Sequence, residues 1–404
     1  MSKFKTMDDF DFKGKVVLVR VDFNSPIDPQ TKKVLDDTRI RAHGETTIRE
    51  LSKKGAKTVI LAHQGRPGDP DFVPLKQHAE ILGRVLGKPV KYVDDIFGEK
   101  AQKAIKSLKN GEVLVLENVR NYPDEMKKAT PEEHAKSDFV KGLAPLADVF
   151  VNDAFAAAHR AHASIVGFTV VLPSAAGRIM ERELKALGKV LEAPEKPCVY
   201  ILGGAKADDS LKISKYVLSN KIADYILTGG IIGHLFLAAK GFDLGKPNME
   251  FLEKQQVLGL VPGIKDLMKA FPGKILVPLD LAVEVNGKRK EINVKELPTA
   301  YPICDIGAET VKEYGKIIRG AKSVVVSGPM GVFEKKEFMF GTRKVFEAVA
   351  SSKAFSLVGG GHTVAAVGKL GLAKKMSYVS TAGGALIEFL MGEKLPGVVA
   401  LEKR

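Results

Sequence analysis

Between residues 15 and 153, four short runs rich in β-branched and aliphatic residues alternate with longer stretches of helical spacing. The runs are KVVLVR (15–20), KTVILAH (57–63), EVLVLEN (112–118) and DVFVND (148–153). In the intervening DTRIRAHGETTIRELSKKGA, Ile40, Thr47, Ile48 and Leu51 fall on one helical face. Strand then helix, repeated, predicts a parallel sheet with helices on both faces. The rhythm restarts near residue 197 with PCVYILGG, DYILTGG, KILVPLDLAV, SVVVSG, FSLVGGG and MSYVSTAGG, and 404 residues are too many for one ordinary core. The predicted fold is therefore α/β: two doubly wound parallel-sheet (Rossmann-like) domains with a cleft between them. A helix opened by Pro173 and Ser174, carrying Ile179, Leu184, Leu187 and Leu191 on one face and ending near Pro194, joins them. The expected boundaries are 1–172, 173–193 for the connecting helix, and 194–386.

Ligands of open parallel sheets bind beyond the carboxyl ends of the strands, so the residues just after each apolar run carry the information. In the first half these are Arg20, Asp22 and Asn24; His63 and Arg66; Arg120; and His159, Arg160 and His162, with Arg39 from DDTRI. Guanidinium groups bind phosphate and carboxylate in bidentate fashion, and several at one sheet edge describe a site for a small, multiply anionic molecule. In the second half the same positions are glycines: Gly203 and Gly204 before Lys206, Gly229 and Gly230, the SGPMG turn at 327–331, Gly359, Gly360 and Gly361 before His362 and Thr363, and TAGG at 381–384. Glycine lets a backbone approach its ligand, and amides at a following helix N-terminus hold phosphate. Tight packing of strand on helix also selects glycine, so one such turn is weak evidence and five together are stronger.

Several alternatives fail on spacing. A dinucleotide fingerprint starting at Gly359 needs glycine or alanine where Val364 stands, and the chain has no G-x-x-x-x-G-K-[ST], HExxH or GxSxG. The formal charge of +14 raises a nucleic-acid partner, but residues 1–170 hold 28 Lys and Arg against 24 Asp and Glu, and no run concentrates the excess. Lysines on solvated helix faces account for it, and no nucleic-acid or membrane partner is expected. No apolar run approaches the ~20 residues of a membrane helix, and the N-terminus lacks a signal-peptide pattern, so a cytoplasmic location is expected. Cys198 and Cys304, the only cysteines, are expected to be reduced. An anion site in one domain and a phosphate cradle in the other point to phosphoryl transfer across a closing cleft. A dinucleotide-dependent dehydrogenase remains the alternative enzyme class.

The motifs RVDFNSP, DDTRI, AHQGRP, ENVR, NDAFAAAHRAHAS, LGGAK, SGPMGVFE, GGGHT, VSTAGGA and LPGV, in this order and across essentially the whole chain, resemble the phosphoglycerate kinase family. The resemblance implies an N-terminal domain for 3-phosphoglycerate or 1,3-bisphosphoglycerate, a C-terminal domain for magnesium-bound ADP or ATP, and reversible transfer between them. It further implies that the C-terminal segment, 387–404, packs back on the first domain. Carried over by motif, Asp22, Asn24, Arg39, His63, Arg66, Arg120 and Arg160 would bind phosphoglycerate, with Arg39 also facing the phosphoryl group in flight. Lys206 would hold phosphate, and Glu334 would take the ribose hydroxyls; His159 and His162 are expected to support the site from behind.

Three departures from the family pattern resemble its archaeal branch: Ser327 where asparagine is common, Ser210 where a second lysine is common (with Lys212 nearby), and His362 where many members have the aspartate of GGGDT. Magnesium prefers hard oxygen ligands, so an imidazole is a poor substitute for that carboxylate and the metal's protein ligand is left open. His362 is expected either to donate to a phosphate oxygen or a magnesium-bound water, or to make no ligand contact. Monomer and homodimer are both open.

Overall fold

The computed structural model describes residues 4–402. It divides into two compact units: the chain up to Leu184 together with the segment from Lys394, and Lys185–Glu393. The first unit is built on a six-stranded parallel sheet. Its spatial order is Lys91–Tyr92, Val113–Val115, Lys57–Leu61, Val16–Arg20, Val149–Asn152 and Ser174–Ala176. The second unit repeats the plan with Tyr378–Val379, Phe355–Gly359, Ser323–Ser327, Cys198–Leu202, Tyr225–Thr228 and Ile275–Leu276, again all parallel. Central strands such as Val17–Val19 and Val199–Leu202 are fully buried, as their continuous apolar runs require of a sheet covered on both faces.

Both sheets change direction of strand order beside their first strand, Val16–Arg20 in one and Cys198–Leu202 in the other. Such a reversal leaves a crevice beyond the carboxyl ends of the neighbouring strands. Arg20 and Asn152 end two adjacent strands at the first reversal, and Leu202 and Ser327 end two at the second.

Two sequence expectations change. The connecting helix starts at Arg178, not at Pro173, and runs to Leu191. Ser174–Ala176 instead forms the last strand of the first sheet, with Ser174 opposite Phe150 and the Pro173 carbonyl accepting from Phe150 N–H. Small residues suit that strand, and the helix is capped from elsewhere: the Asp153 carboxylate accepts from Ile179 N–H at 2.8 Å and Met180 N–H at 3.3 Å. The second change is in KILVPLDLAV, which is not one strand of the parallel sheet. Only Ile275–Leu276 joins it; Asp280–Val285 is the centre of a separate antiparallel sheet flanked by Lys288–Asn293 and Ile303–Ile306.

The C-terminal helix Pro396–Glu402 lies on the first unit. Gly397 N–H donates to the Ala158 carbonyl at 2.8 Å, and Ala400 packs with Ala154, Ala157, Ile165 and Val166. It thereby backs the stretch that presents His159 and Arg160. Residues 387–393, expected to pack back with it, belong instead to the second unit, and Lys403 and Arg404 lie outside the described residues. Cys198 and Cys304 are buried free thiols.

Candidate functional site

The first unit gathers the sequence-predicted arginines and histidines at the carboxyl edge of its sheet. Arg20 ends its strand fully buried, its Nε–H donating to Ser164 Oγ at 2.8 Å and a terminal nitrogen lying 3.0 Å from Nδ1 of His63. Asp22 is buried and pairs at 2.6 Å with Arg39, whose side chain is 37% exposed. Asn24 accepts from Gly65 N–H at 2.8 Å, which ties the chain after the first strand to the AHQGRP loop. Arg120, also buried, donates to the Gly65 carbonyl, while its Nε has no partner among the described residues. Arg160 donates to His159 Nε2 at 3.1 Å, and Arg66 is exposed.

These cations depress one another. Burial first, and then Arg160, Arg20 and Arg66, lower the Arg120 guanidinium to about 10, against the pull of Glu125. Burial followed by Arg20, Arg120 and Arg160 pushes His63 well below the usual imidazole range, and the same influences take His162 to about 3. Positive charge held this close at a sheet edge favours a bound polyanion.

Four residues of this site escape a linear reading. His43 Nδ1 is 2.6 Å from Asp153 Oδ2, and its Nε2 accepts from Asp22 N–H at 3.2 Å. Glu125, fully buried, accepts from both the Ser164 hydroxyl and the Ser164 N–H. Nothing in NYPDEMKK sets Glu125 apart from a surface acid.

In the second unit the glycine turns enclose a hollow of ≈ 100 Å³. Gly203, Gly204, Lys206, Gly360, Gly361, His362 and Thr363 line it, joined by Asp209, Ser210 and Ser327. It adjoins a groove of ≈ 450 Å³, which shares Gly204, Ala205, Pro329 and His362 with the hollow and continues past Gly230, Phe251, Val332, Phe333 and Glu334. A small hollow of mixed polarity leading into a larger, apolar groove suits the phosphates of a nucleotide followed by its ribose and base. Gly229 and Gly359 line neither; a Cβ on Gly359 would stand 1.8 Å from Leu386 Cδ2, so packing fixes that glycine.

Amide accounting separates the turns by role. Gly203 N–H donates to the Ser327 carbonyl, Gly204 N–H to that of Pro329, and Gly230 N–H to that of Met330, each at 2.8 Å. Gly328, at φ +98°, donates to Thr363 Oγ1 at 2.7 Å, and a Cβ there would be 2.1 Å from the Gly203 carbonyl oxygen. These turns are laced to one another, and their amides are used. The helix Gly361–Lys369 differs from them: the N–H groups of its first turn have no intrahelical partner and lie at the wall of the hollow.

Lys206 stands exposed at the hollow. Lys212 does not take the place of the lysine missing at Ser210: it pairs with Asp208 at 2.5 Å on the exposed side of its helix, while Ser210 lines the hollow.

Two Rossmann-like units, one with an arginine-edged anion site and one with a phosphate-sized hollow beside an apolar groove, define a phosphotransferase of small metabolites. Comparison with known proteins agrees. The family model for phosphoglycerate kinase matches residues 7–393, and the chain belongs to the phosphoglycerate kinase family. It is 51% identical to the phosphoglycerate kinase of Methanothermobacter thermautotrophicus over 99% of this chain and 97% of that protein. The crystal structure of phosphoglycerate kinase from Pyrococcus horikoshii OT3 superposes with a TM-score of 0.88 at 43% identity, covering 98% of both chains. That from Coxiella burnetii gives 0.86 at 33% identity, covering 99% of both.

Proposed function

We propose that the chain catalyses reversible, magnesium-dependent phosphoryl transfer between 1,3-bisphosphoglycerate and ADP, giving 3-phosphoglycerate and ATP. The observation that carries this reading is the division of labour between the units: an excess of positive charge at one sheet edge, and a hollow lined by helix-turn amides and Lys206 at the other. Asp22, Asn24, His63, Arg66, Arg120 and Arg160 bind phosphoglycerate. Arg39 binds it too and faces the transferring phosphoryl group, where a guanidinium is worth on the order of a thousandfold in rate. Lys206 holds nucleotide phosphate, the amides of Gly361, His362 and Thr363 cradle it, and Glu334 takes the ribose. In-line transfer needs donor and acceptor to meet with water excluded.

The residues present fit a magnesium ion carried by the nucleotide rather than caged by protein. Among the described residues no three His, Cys, Asp or Glu side chains gather to hold a metal, and Asp209 is the one carboxylate lining the hollow. Asp209 would supply one hard oxygen, and phosphates and water the rest. Bound there, the ion neutralises phosphate charge. His362 lines both hollow and groove and donates to a phosphate oxygen or to a water. No helix of the described residues is long and apolar enough to cross a membrane.

The test is the initial rate of 3-phosphoglycerate phosphorylation by ATP, coupled to reductive consumption of the product and titrated with magnesium. Magnesium-dependent turnover is expected. Folded protein with no turnover at any magnesium concentration up to high temperature overturns the reading.

A further inference from the structure

Behind the arginine edge of the first unit, a chain of hydrogen bonds leads from a buried carboxylate to the ring of His63. Glu125 Oε1 accepts from the Ser164 hydroxyl at 2.5 Å and Oε2 accepts from the Ser164 N–H at 2.9 Å. Arg20 Nε–H lies 2.8 Å from Ser164 Oγ, a second Arg20 nitrogen donates to the Val21 carbonyl, and the third lies 3.0 Å from His63 Nδ1. Glu125 and Ser164 have no exposure, and Arg20 has 1%.

A guanidinium has five donors and no acceptor, so each group facing Arg20 has to accept from it. Ser164 Oγ accepts from Arg20 with one lone pair, and its own hydrogen goes to Glu125 where that carboxyl is ionised. Both Glu125 oxygens accept in that ionised state, which burial confines to pH above about 7. At the other end His63 Nδ1 has to accept, so the ring proton sits on Nε2. Burial and the charges facing the ring, from Arg20, Arg120, Arg160 and His162, keep it from taking a second proton. With Nδ1 occupied, Nε2 is the nitrogen left for a ligand. A donor there suits an oxyanion; the opposite tautomer would present a lone pair to it.

We infer that Glu125 is a positioning residue of the phosphoglycerate site, which acts through Ser164 and Arg20 to hold His63 as a neutral imidazole donating from Nε2. The carboxylate is also the larger of the two attractive charges acting on Arg20, ahead of Asp22, so its removal strips a buried cation of its main counter-charge. A glutamine at 125 offers Ser164 an amide donor in place of one acceptor. That takes the acceptor from the Ser164 hydroxyl hydrogen and leaves Oγ accepting from two donors.

The kinetic half of this inference rests on the function proposed above; the proton positions do not. The experiment uses the full chain with ¹⁵N-labelled histidine. In the wild type, His63 is expected to show a pyridine-like Nδ1 and a pyrrole-like Nε2 at pH 8, where Glu125 is ionised. In Glu125→Gln, and in Ser164→Ala as a milder change, the His63 signals should shift toward a mixture of tautomers. The KM for 3-phosphoglycerate should rise about tenfold with kcat within about twofold and the KM for ATP unchanged. Ser164→Thr, which keeps the hydroxyl, should restore both signatures. A wild-type ring protonated on Nδ1, or an unchanged ring in folded variants of both residues, overturns the inference. A tautomer shift with unchanged KM upholds the positioning role and overturns His63 as a substrate contact instead.

Discussion

Asp153 offers a test in which one atom is exchanged without change of shape. The residue has no exposure; its Oδ2 takes the His43 Nδ1–H at 2.6 Å, while its Oδ1 takes the first amides of the helix from Arg178. His43 Nε2 accepts from Asp22 N–H, so the ring proton is confined to Nδ1, and Asp153 faces donors on both oxygens. In Asp153→Asn one oxygen becomes NH2. If the amide nitrogen faces His43, the ring must switch tautomer and release Asp22; if it faces the helix, the cap is lost. The first arrangement orphans buried polar groups at about 1–3 kcal/mol, and the second costs about 1 kcal/mol of capping and sets two donors face to face. For a unit of this size each kcal/mol lowers the melting temperature by roughly 2–4 °C, so the first unit should melt ~2–12 °C lower. Asp22 carries the 2.6 Å pair to Arg39, so displacement of its backbone should lower kcat/KM for phosphoglycerate by about tenfold or more, with the KM for ATP unmoved. Calorimetry and coupled steady-state rates on the same preparations measure both. A folded Asp153→Asn protein within 1 °C of wild type (well under the ~2 °C expected) and with the same kcat/KM would refute the reasoning.

Lys206→Ala should cost at least about a hundredfold in kcat/KM for ATP, whereas Lys212→Ala, which breaks only an exposed pair with Asp208, should stay within about twofold of wild type in the same assay. His362→Asp places a second carboxylate beside the hollow lined by Asp209 and should lower the magnesium concentration for half-maximal rate; an unchanged magnesium titration would remove His362 from the metal's surroundings. Acid should destabilise the fold early. Burial holds His78 and His234 to about 4 and His162 to about 3, so between these values and 6.5 the unfolded chain binds protons that the native one refuses. Stability present above pH 6.5 is then lost as pH falls, by as much as ~4 kcal/mol per pH unit from these three groups. Glu125, raised by burial to about 7, opposes this because it takes its proton in the native state first. Denaturant midpoints at pH 7 and pH 5 check the sign, and equal midpoints would contradict it.

The parallel sheets were legible because strands buried on both faces need unbroken apolar runs, as Val17–Val19 and Val324–Val326 show. KILVPLDLAV misled for the same reason: the run is continuous in composition, but Pro278 lies between a strand of one sheet and a strand of another. Its hairpin partner Lys288–Asn293 is largely exposed and charged, and so carries no apolar signal. The arginines at strand ends were legible by residue type. Glu125, Ser164 and Asp153 were not, since their roles arise from contacts 39, 144 and 110 residues apart along the chain. The three departures at Ser210, Ser327 and His362 were readable as substitutions, and all three line one hollow. That Lys212 turns away from it required the helix to be seen.

The lacing of the glycine turns in the second unit bears on how tightly a nucleotide can be held. Glycine surrenders more conformational freedom than any other residue when it becomes fixed. In a loose loop that loss falls due when the ligand arrives and is subtracted from its affinity. Here Gly203, Gly204, Gly230 and Gly328 are already fixed by bonds to Ser327, Pro329, Met330 and Thr363, so the loss is charged to folding. A nucleotide then meets a rigid mould, and affinity in the hollow depends on contacts made rather than on order imposed.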